Sequence, residues 1–256
     1  MQLAIEFPIP DLKALSKYTD FDFVLTHMVL ENKVYRDFYS ESKRFMILDN
    51  SFFELGQALS GDKIMKAARI MMPEEVVAPD GIDLTENFIK ENRNELSDLG
   101  IEVAGVLHGK NFEEIVQNLN WLTSHPDIST ICVPLDTDFN LDPHLKDLPQ
   151  IYQWMITRIM VLDYIYKNGY YQKKQYHLLG CSVPLEFKVI GEKHPWVRSF
   201  DTSAPVVAAI NKVEMDAVGK KLSRKTDYFD KALSRGTKAK VISNINLIKE
   251  WGNGHK

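Results

Sequence analysis

The chain has 256 residues, 45% hydrophobic and 26% charged, with a formal net charge of −4. These proportions suit a soluble protein of one large domain or two small ones, and the slight acidity sets no global demand for a polyanionic partner. Two cysteines, Cys132 and Cys181, are too few for a disulfide framework or a four-cysteine zinc site, and no apolar run reaches the roughly eighteen residues of a membrane span.

From the N-terminus, eight short apolar runs stop at polar residues. They are LAIEF (3–7), FDFVLTH (21–27), RFMILDNS (44–51), EEVVAPD (74–80), EVAGVLHG (102–109), STICVPL (129–135), YHLLGCS (176–182) and WVRSFDTS (196–203). Their apolar residues are more continuous than alternating, which is how strands buried on both faces read. Helical patterns separate them: DLKALSKY, NKVYRDFYS, GDKIMKAARIMM, TENFIKENRNELSDLG, NFEEIVQNLNWLTS, the long segment from Asp147 to Gly169, and VPLEFKVIGEK. In the fourth of these, Thr85 is the expected N-cap and Gly100 the residue just past the last turn.

Eight strands alternating with helices at intervals of about 25–30 residues predict an α/β fold, a (β/α)8 TIM barrel, over residues 1–210. A doubly wound open sheet competes less well, because no Gly-rich dinucleotide turn follows the first strand. Residues 211–256 read as a charged C-terminal extension packed on the barrel, ending in the amphipathic VISNINLIKEW.

A barrel of this kind places its site at the C-terminal ends of the strands. That rule explains why the run MILD is followed by Asn50 and Ser51, and it collects His27, Asp49, Asp80, His108, Cys181 and Asp201 around one mouth. Two carboxylates at such a mouth suit retaining glycosyl transfer, one as nucleophile and the other moving a proton.

Three segments carry a resemblance. MILDNSFFELG resembles the Asp-Ser-Gly-Gly-Phe/Tyr-Gln segment of tRNA-guanine transglycosylases, YHLLGCSVPLEF their Tyr-Leu-Met-Gly-Val-Gly-x-Pro segment, and VRSFDTSAPVV their Met-Phe-Asp-Cys-Val-x-Pro segment, in the same order. The resemblance implies that Asp201 is a nucleophile forming a covalent glycosyl intermediate, that Asp49 is the acid/base, and that Asp80 recognises the base. It further places His108, Ser51, Phe52, Leu179, Gly180 and Cys181 in substrate binding. The sequence departs from that family at its Gly-Gly pairs, at His108, where the family has Gln, and in lacking its zinc subdomain. What remains is similar to the compact bacteriophage branch that exchanges guanine in DNA for a 7-deazaguanine. The expected partners are therefore nucleic acid, DNA ahead of RNA, and a free 7-deazaguanine base, with no cofactor, no metal and no membrane. A catalytically silent nucleic-acid- or partner-binding homologue and a glycosidase acting on free nucleosides are the alternatives.

Other features have plainer readings. Asp201-Thr202-Ser203 precedes a helical pattern in which Ser203 is the best N-cap, leaving Asp201 for chemistry. Residues 136–142, DTDFNLD, space oxygen ligands like a calcium loop but have Leu141 where glycine is required. Cys132, Cys181, Met65, Met71, Met72, Met155 and Met160 read as core. Between Lys212 and Lys240 nine basic residues face four acidic ones. Lys220, Lys221, Arg224, Lys225, Lys231, Arg235 and Lys238 are expected to grip a phosphate backbone, with Tyr228 and Phe229 free to stack on an extruded base. The N-terminus has no basic region followed by a long apolar stretch, so a cytoplasmic location, that of the host cell if the chain is phage-encoded, is expected.

Overall fold

The structure is a computed structural model describing residues 1–57, 59–135, 143–215, 224 and 226–252. All eight expected strands form: β1 (Gln2–Ile5), β2 (Asp22–Leu25), β3 (Met46–Asp49), β4 (Glu75–Val77), β5 (Glu102–Val106), β6 (Ile128–Pro134), β7 (Gln175–Leu179) and β8 (Ser199–Thr202). They pair in parallel in the order β1-β8-β7-β6-β5-β4-β3-β2, helices alternate with them, and the result is a nearly closed (β/α)8 TIM barrel. The missing ladder is the one between β1 and β2. There Asp20 bridges the gap instead, its N–H donating to the Leu3 carbonyl at 2.8 Å and its Oδ2 accepting from the Leu3 N–H at 2.9 Å.

Alternation along each strand divides the core in two. Ala4, Phe23, Leu25, Ile47, Val77, Ala104, Val106 and Cys132 fill the barrel interior as one cluster. Residues of the opposite parity, such as Leu3, Val24, Leu48, Val76 and Val103, join the larger cluster under the surrounding helices. Period two then decides which residues top the interior column. One step beyond Ile47 is Asp49, beyond Ala4 is Glu6, beyond Val106 is His108, and beyond Ser199 is Asp201.

Several local expectations need correcting. The fourth expected helix spans Ile82–Leu99 with Gly81 at its N-cap, and Thr85 lies inside it, its hydroxyl donating to the Pro79 carbonyl at 2.9 Å. Gly100 does stand past its end, at φ 68°, where a Cβ would be strained. The run 21–27 yields only four strand residues, because the chain turns directly into a helix, Thr26–Glu31. Ser203 is the N-cap residue of Ala204–Asn211, but the capping bond comes from Thr202, whose Oγ1 accepts from the Ala204 N–H at 3.0 Å. Met65, Met71 and Met155 are buried, whereas Met72 and Met160 are 52% and 40% exposed: Met72 ends its helix in a left-handed conformation and Met160 faces outward. Both cysteines are buried.

After β8 the chain continues into the helix Arg235–Gly252, which buries Val241, Ile245 and Ile248 against the barrel's outer layer. Its approach depends on Gly191, where a Cβ would stand 2.3 Å from the Trp251 carbonyl oxygen. Among the described residues no helix is long and apolar enough to cross a membrane. The acidic loop 136–142 lies outside the described residues.

Candidate active site

A cavity of about 500 Å³ opens at the C-terminal ends of the strands. Asp49, Asp80, His108, Leu179, Gly180, Cys181, Asp201, Phe52 and His27 all stand on its wall, brought together from β2, β3, β4, β5, β7 and β8. Ser51 does not. It is fully buried at φ 62°, a left-handed conformation, and its Oγ accepts from the His27 N–H at 3.2 Å. Its role is to turn the chain out of β3.

That turn arranges one side of the site. Asp49, 8% exposed, accepts from the Ser51 N–H at 2.7 Å through Oδ2, while the Asp49 carbonyl accepts from the Thr26 hydroxyl at 2.6 Å. Burial pushes the Asp49 carboxyl well above the usual carboxylate range; the charge of Glu54 adds to this, with Asp201 and Glu6 contributing further, and the Ser51 N–H opposes it. Asn50 accepts from the Phe52 N–H at 3.0 Å and donates to the Ala78 carbonyl at 2.7 Å and to Asp80 Oδ2 at 3.2 Å. Asp80 Oδ1 in turn pairs with His108 Nε2 at 2.8 Å. Asn118 holds the His108 carbonyl at 2.7 Å. The ends of β3, β4 and β5 are thus tied by short hydrogen bonds.

Asp201 occupies the other side. The His177 Nε2–H and the Gly180 N–H both donate to its Oδ1, at 3.3 and 3.1 Å, and Oδ2 takes no bond from the described residues. His177 is fully buried, stacked on Phe23 with ring centroids 5.3 Å apart, and its Nδ1 accepts from the Ser199 hydroxyl at 2.9 Å. Behind β7 a buried ion pair fixes the backbone. Arg158 donates to Glu186 at 2.7 Å, to the Leu179 carbonyl at 2.6 Å and to Cys181 Sγ at 3.1 Å. Burial pushes the Cys181 thiol far up despite Arg158, so it is an inert wall residue.

Three charged residues on the cavity wall were not among the catalytic or base-binding candidates. Glu6, 7% exposed, pairs with Arg224 at 2.8 Å, and the same guanidinium binds Glu54. Burial drives the Glu6 carboxyl up to about 8; Arg224 opposes the shift, and Glu54 and Asp201 reinforce it. The guanidinium also lies over the Phe229 ring, 5.4 Å from its centroid. Arg224 is thereby an internal counter-ion, which corrects the expectation of a free phosphate grip at that position. Tyr228 is 3% exposed and its hydroxyl donates to the Glu6 carbonyl, so it is wall packing rather than a free stacking platform. Parity would have found Glu6 and His177, since each lies two residues from an interior position.

The other basic residues divide. Lys238 is paired with the buried Asp11, Arg235 is exposed and Lys231 is half-buried. Lys220, Lys221 and Lys225 lie outside the described residues. Among the described residues no cluster of three or more His, Cys, Asp or Glu side chains is arranged to hold a metal ion. No family model matches the chain, and no curated protein matches it either.

Proposed function

We propose that the protein is a base-exchange transglycosylase that replaces guanine in nucleic acid, DNA ahead of RNA, with a 7-deazaguanine derivative. The observation that carries this reading is the unequal pair of carboxylates on one cavity wall: Asp201 with one oxygen tethered and the other taking no bond from the described residues, and Asp49 with its protonated form favoured by burial. Such a division suits one nucleophile and one acid.

In the first half-reaction Asp201 Oδ2 attacks the anomeric carbon, and the glycosidic bond breaks with its electron pair passing to the purine nitrogen. That nitrogen takes the proton of Asp49, so neutral guanine leaves and Asp49 becomes a carboxylate. In the second, Asp49 removes the ring N–H proton of the incoming base. The nitrogen attacks the same carbon, and the bond to Asp201 breaks to restore its carboxylate. The cavity accommodates a purine-sized base, and a nucleotide in duplex would reach it only by leaving its stack.

A glycosidase acting on free nucleosides is favoured by one observation. Of the basic residues expected to hold a polymer, Arg224 and Lys238 are already engaged in ion pairs. Incubation with radiolabelled guanine and, in parallel, DNA, RNA or guanosine separates the readings. Label entering DNA supports the proposal; release of base from guanosine with no label entering polymer would replace it with the glycosidase. A silent homologue would do neither.

A further inference from the structure

Arg158, on the helix Gln150–Lys167, is fully buried behind β7 and reaches both neighbours of Gly180. Its Nη1 donates to the Leu179 carbonyl at 2.6 Å and, less closely, to the Val133 carbonyl at 3.4 Å, while Nη2 donates to Cys181 Sγ at 3.1 Å. The Leu179 carbonyl and the Gly180 N–H belong to one planar peptide unit and point in opposite directions. On the far side of that unit the Gly180 N–H donates to Asp201 Oδ1 at 3.1 Å. A guanidinium and the Asp201 carboxyl group thus hold opposite ends of a single peptide, at a turn where Gly180 takes a φ of 66°. The ion pair behind it is poorly built for stability alone. Arg158 Nε and Nη2 both reach Glu186 Oε1, at 2.7 and 2.6 Å, and the buried Oε2 has no partner among the described residues. A buried pair gains little over apolar residues of the same volume, and an orphaned oxygen lowers that gain further.

We infer that Arg158 is a positioning residue for Asp201 and acts through the Leu179–Gly180 peptide. The inference rests on the base-exchange reading for the step that Asp201 performs. With its carbonyl held by a charge, the peptide is polarised and its N–H becomes a stronger donor. The same grip keeps the peptide from rotating, so Oδ1 stays the tethered oxygen of Asp201 and Oδ2 the one that attacks. Glu186, on the helix Pro184–Lys193, keeps the guanidinium from being buried unpaired and helps to fix the plane of its fork. Arg158 is off the cavity wall, so its effect on the reaction passes through that peptide and not through contact with a ligand.

The test uses the double variant Arg158→Met/Glu186→Leu, which removes both charges and leaves neither buried alone, and Arg158→Lys, which keeps the charge but not the fork. Three quantities are measured: the melting temperature, the Gly180 amide proton shift in the ligand-free protein, and kcat and KM for entry of labelled guanine into DNA. The double variant should melt no lower than the wild type. Its Gly180 amide should nevertheless move towards the position found in Asp201→Ala, where the acceptor is gone, and kcat should fall about 10–100-fold with little change in KM. Arg158→Lys should fall between the two in both respects. A folded double variant with the wild-type amide shift and kcat would overturn the inference, because the pair would then only pack the barrel. Should that variant not fold, Arg158→Lys decides in the same way. A wild type that incorporates no label removes the base-exchange reading instead, and the Gly180 shift still settles whether Arg158 orients Asp201: a shift unmoved in the variants overturns that role, and a shift towards that of Asp201→Ala upholds it.

Discussion

The two sides of the cavity are built by different means. At the ends of β3, β4 and β5 the contacts are neutral or short-range hydrogen bonds, and Asn50 touches Phe52, Ala78 and Asp80 at once. On the opposite side, where β1 meets the segment after β8, the wall is an ion-paired cluster in which one guanidinium serves Glu6 and Glu54 beside the barrel-top aspartates. Hydrogen bonds of the first kind set geometry at short range. The second kind stores charge in a desolvated place, where protonation and removal of a partner both matter.

The sharpest probe of the difference is chemical. Asp201→Asn keeps an acceptor for His177 and Gly180 but loses the attacking oxygen, so base exchange should fall by about 10⁴-fold or more with an unchanged circular dichroism spectrum. Near-normal turnover in this variant would remove Asp201 from the reaction. Asp49→Asn should lower exchange less, by about 10²–10⁴-fold, because it removes proton transfer and not the nucleophile. A covalent adduct trapped on Asp49→Asn, and none on Asp201→Asn, would confirm the division of roles.

Stability should then separate the two walls. Arg224→Gln leaves Glu6 and Glu54 without their shared guanidinium in a desolvated wall, and thermal melts at neutral pH should show a loss of about 3 kcal/mol. Glu6 sets the pH dependence of that wall. Its carboxyl is released near 4.5 when unfolded and held up to about 8 when folded, so the folded chain binds the extra proton between those values. Its contribution is therefore full below pH 4.5 and declines as pH rises towards 8. In Glu6→Gln that decline should be shallower than in the wild type; an identical slope would show that other groups carry it. The smallest effect is expected from Asn50→Ala. It costs about 1–2 kcal/mol through lost hydrogen bonds, with little dependence on pH, and should weaken base binding more than turnover.

How much of this was legible in the sequence follows the same division. Asp49, Asp80, His108 and Asp201 each end a recognisable apolar run, and strand-end position is a local property, so the chain alone brings them to one mouth. Glu6 was passed over because LAIEF reads as strand throughout, although its parity with Ala4 places it at the top of the interior. The pairing of Arg224 is hidden from the sequence for a deeper reason. Its partners lie 170 and 218 positions away, and a charge run carries no sign of such pairings. The default of a solvated face wins unless the fold supplies buried carboxylates. Thr85 shows the converse error: a good capping residue was displaced by Gly81, because its hydroxyl was needed to hold the Pro79 carbonyl.

The gap between β1 and β2 gives the barrel a direction in which to loosen. Everywhere else a strand is fastened on both sides by a backbone ladder, but the Leu3 amide is fastened on this side by the carboxylate of Asp20, a side chain 35% exposed and shared with Lys249. A carboxylate can swing away without any unfolding of the backbone. The Leu3 amide should accordingly trade its hydrogen for deuterium well before its neighbours across β8, and the first breath of the barrel would pass along β1, the strand that leads directly to Glu6 and the ion-paired wall.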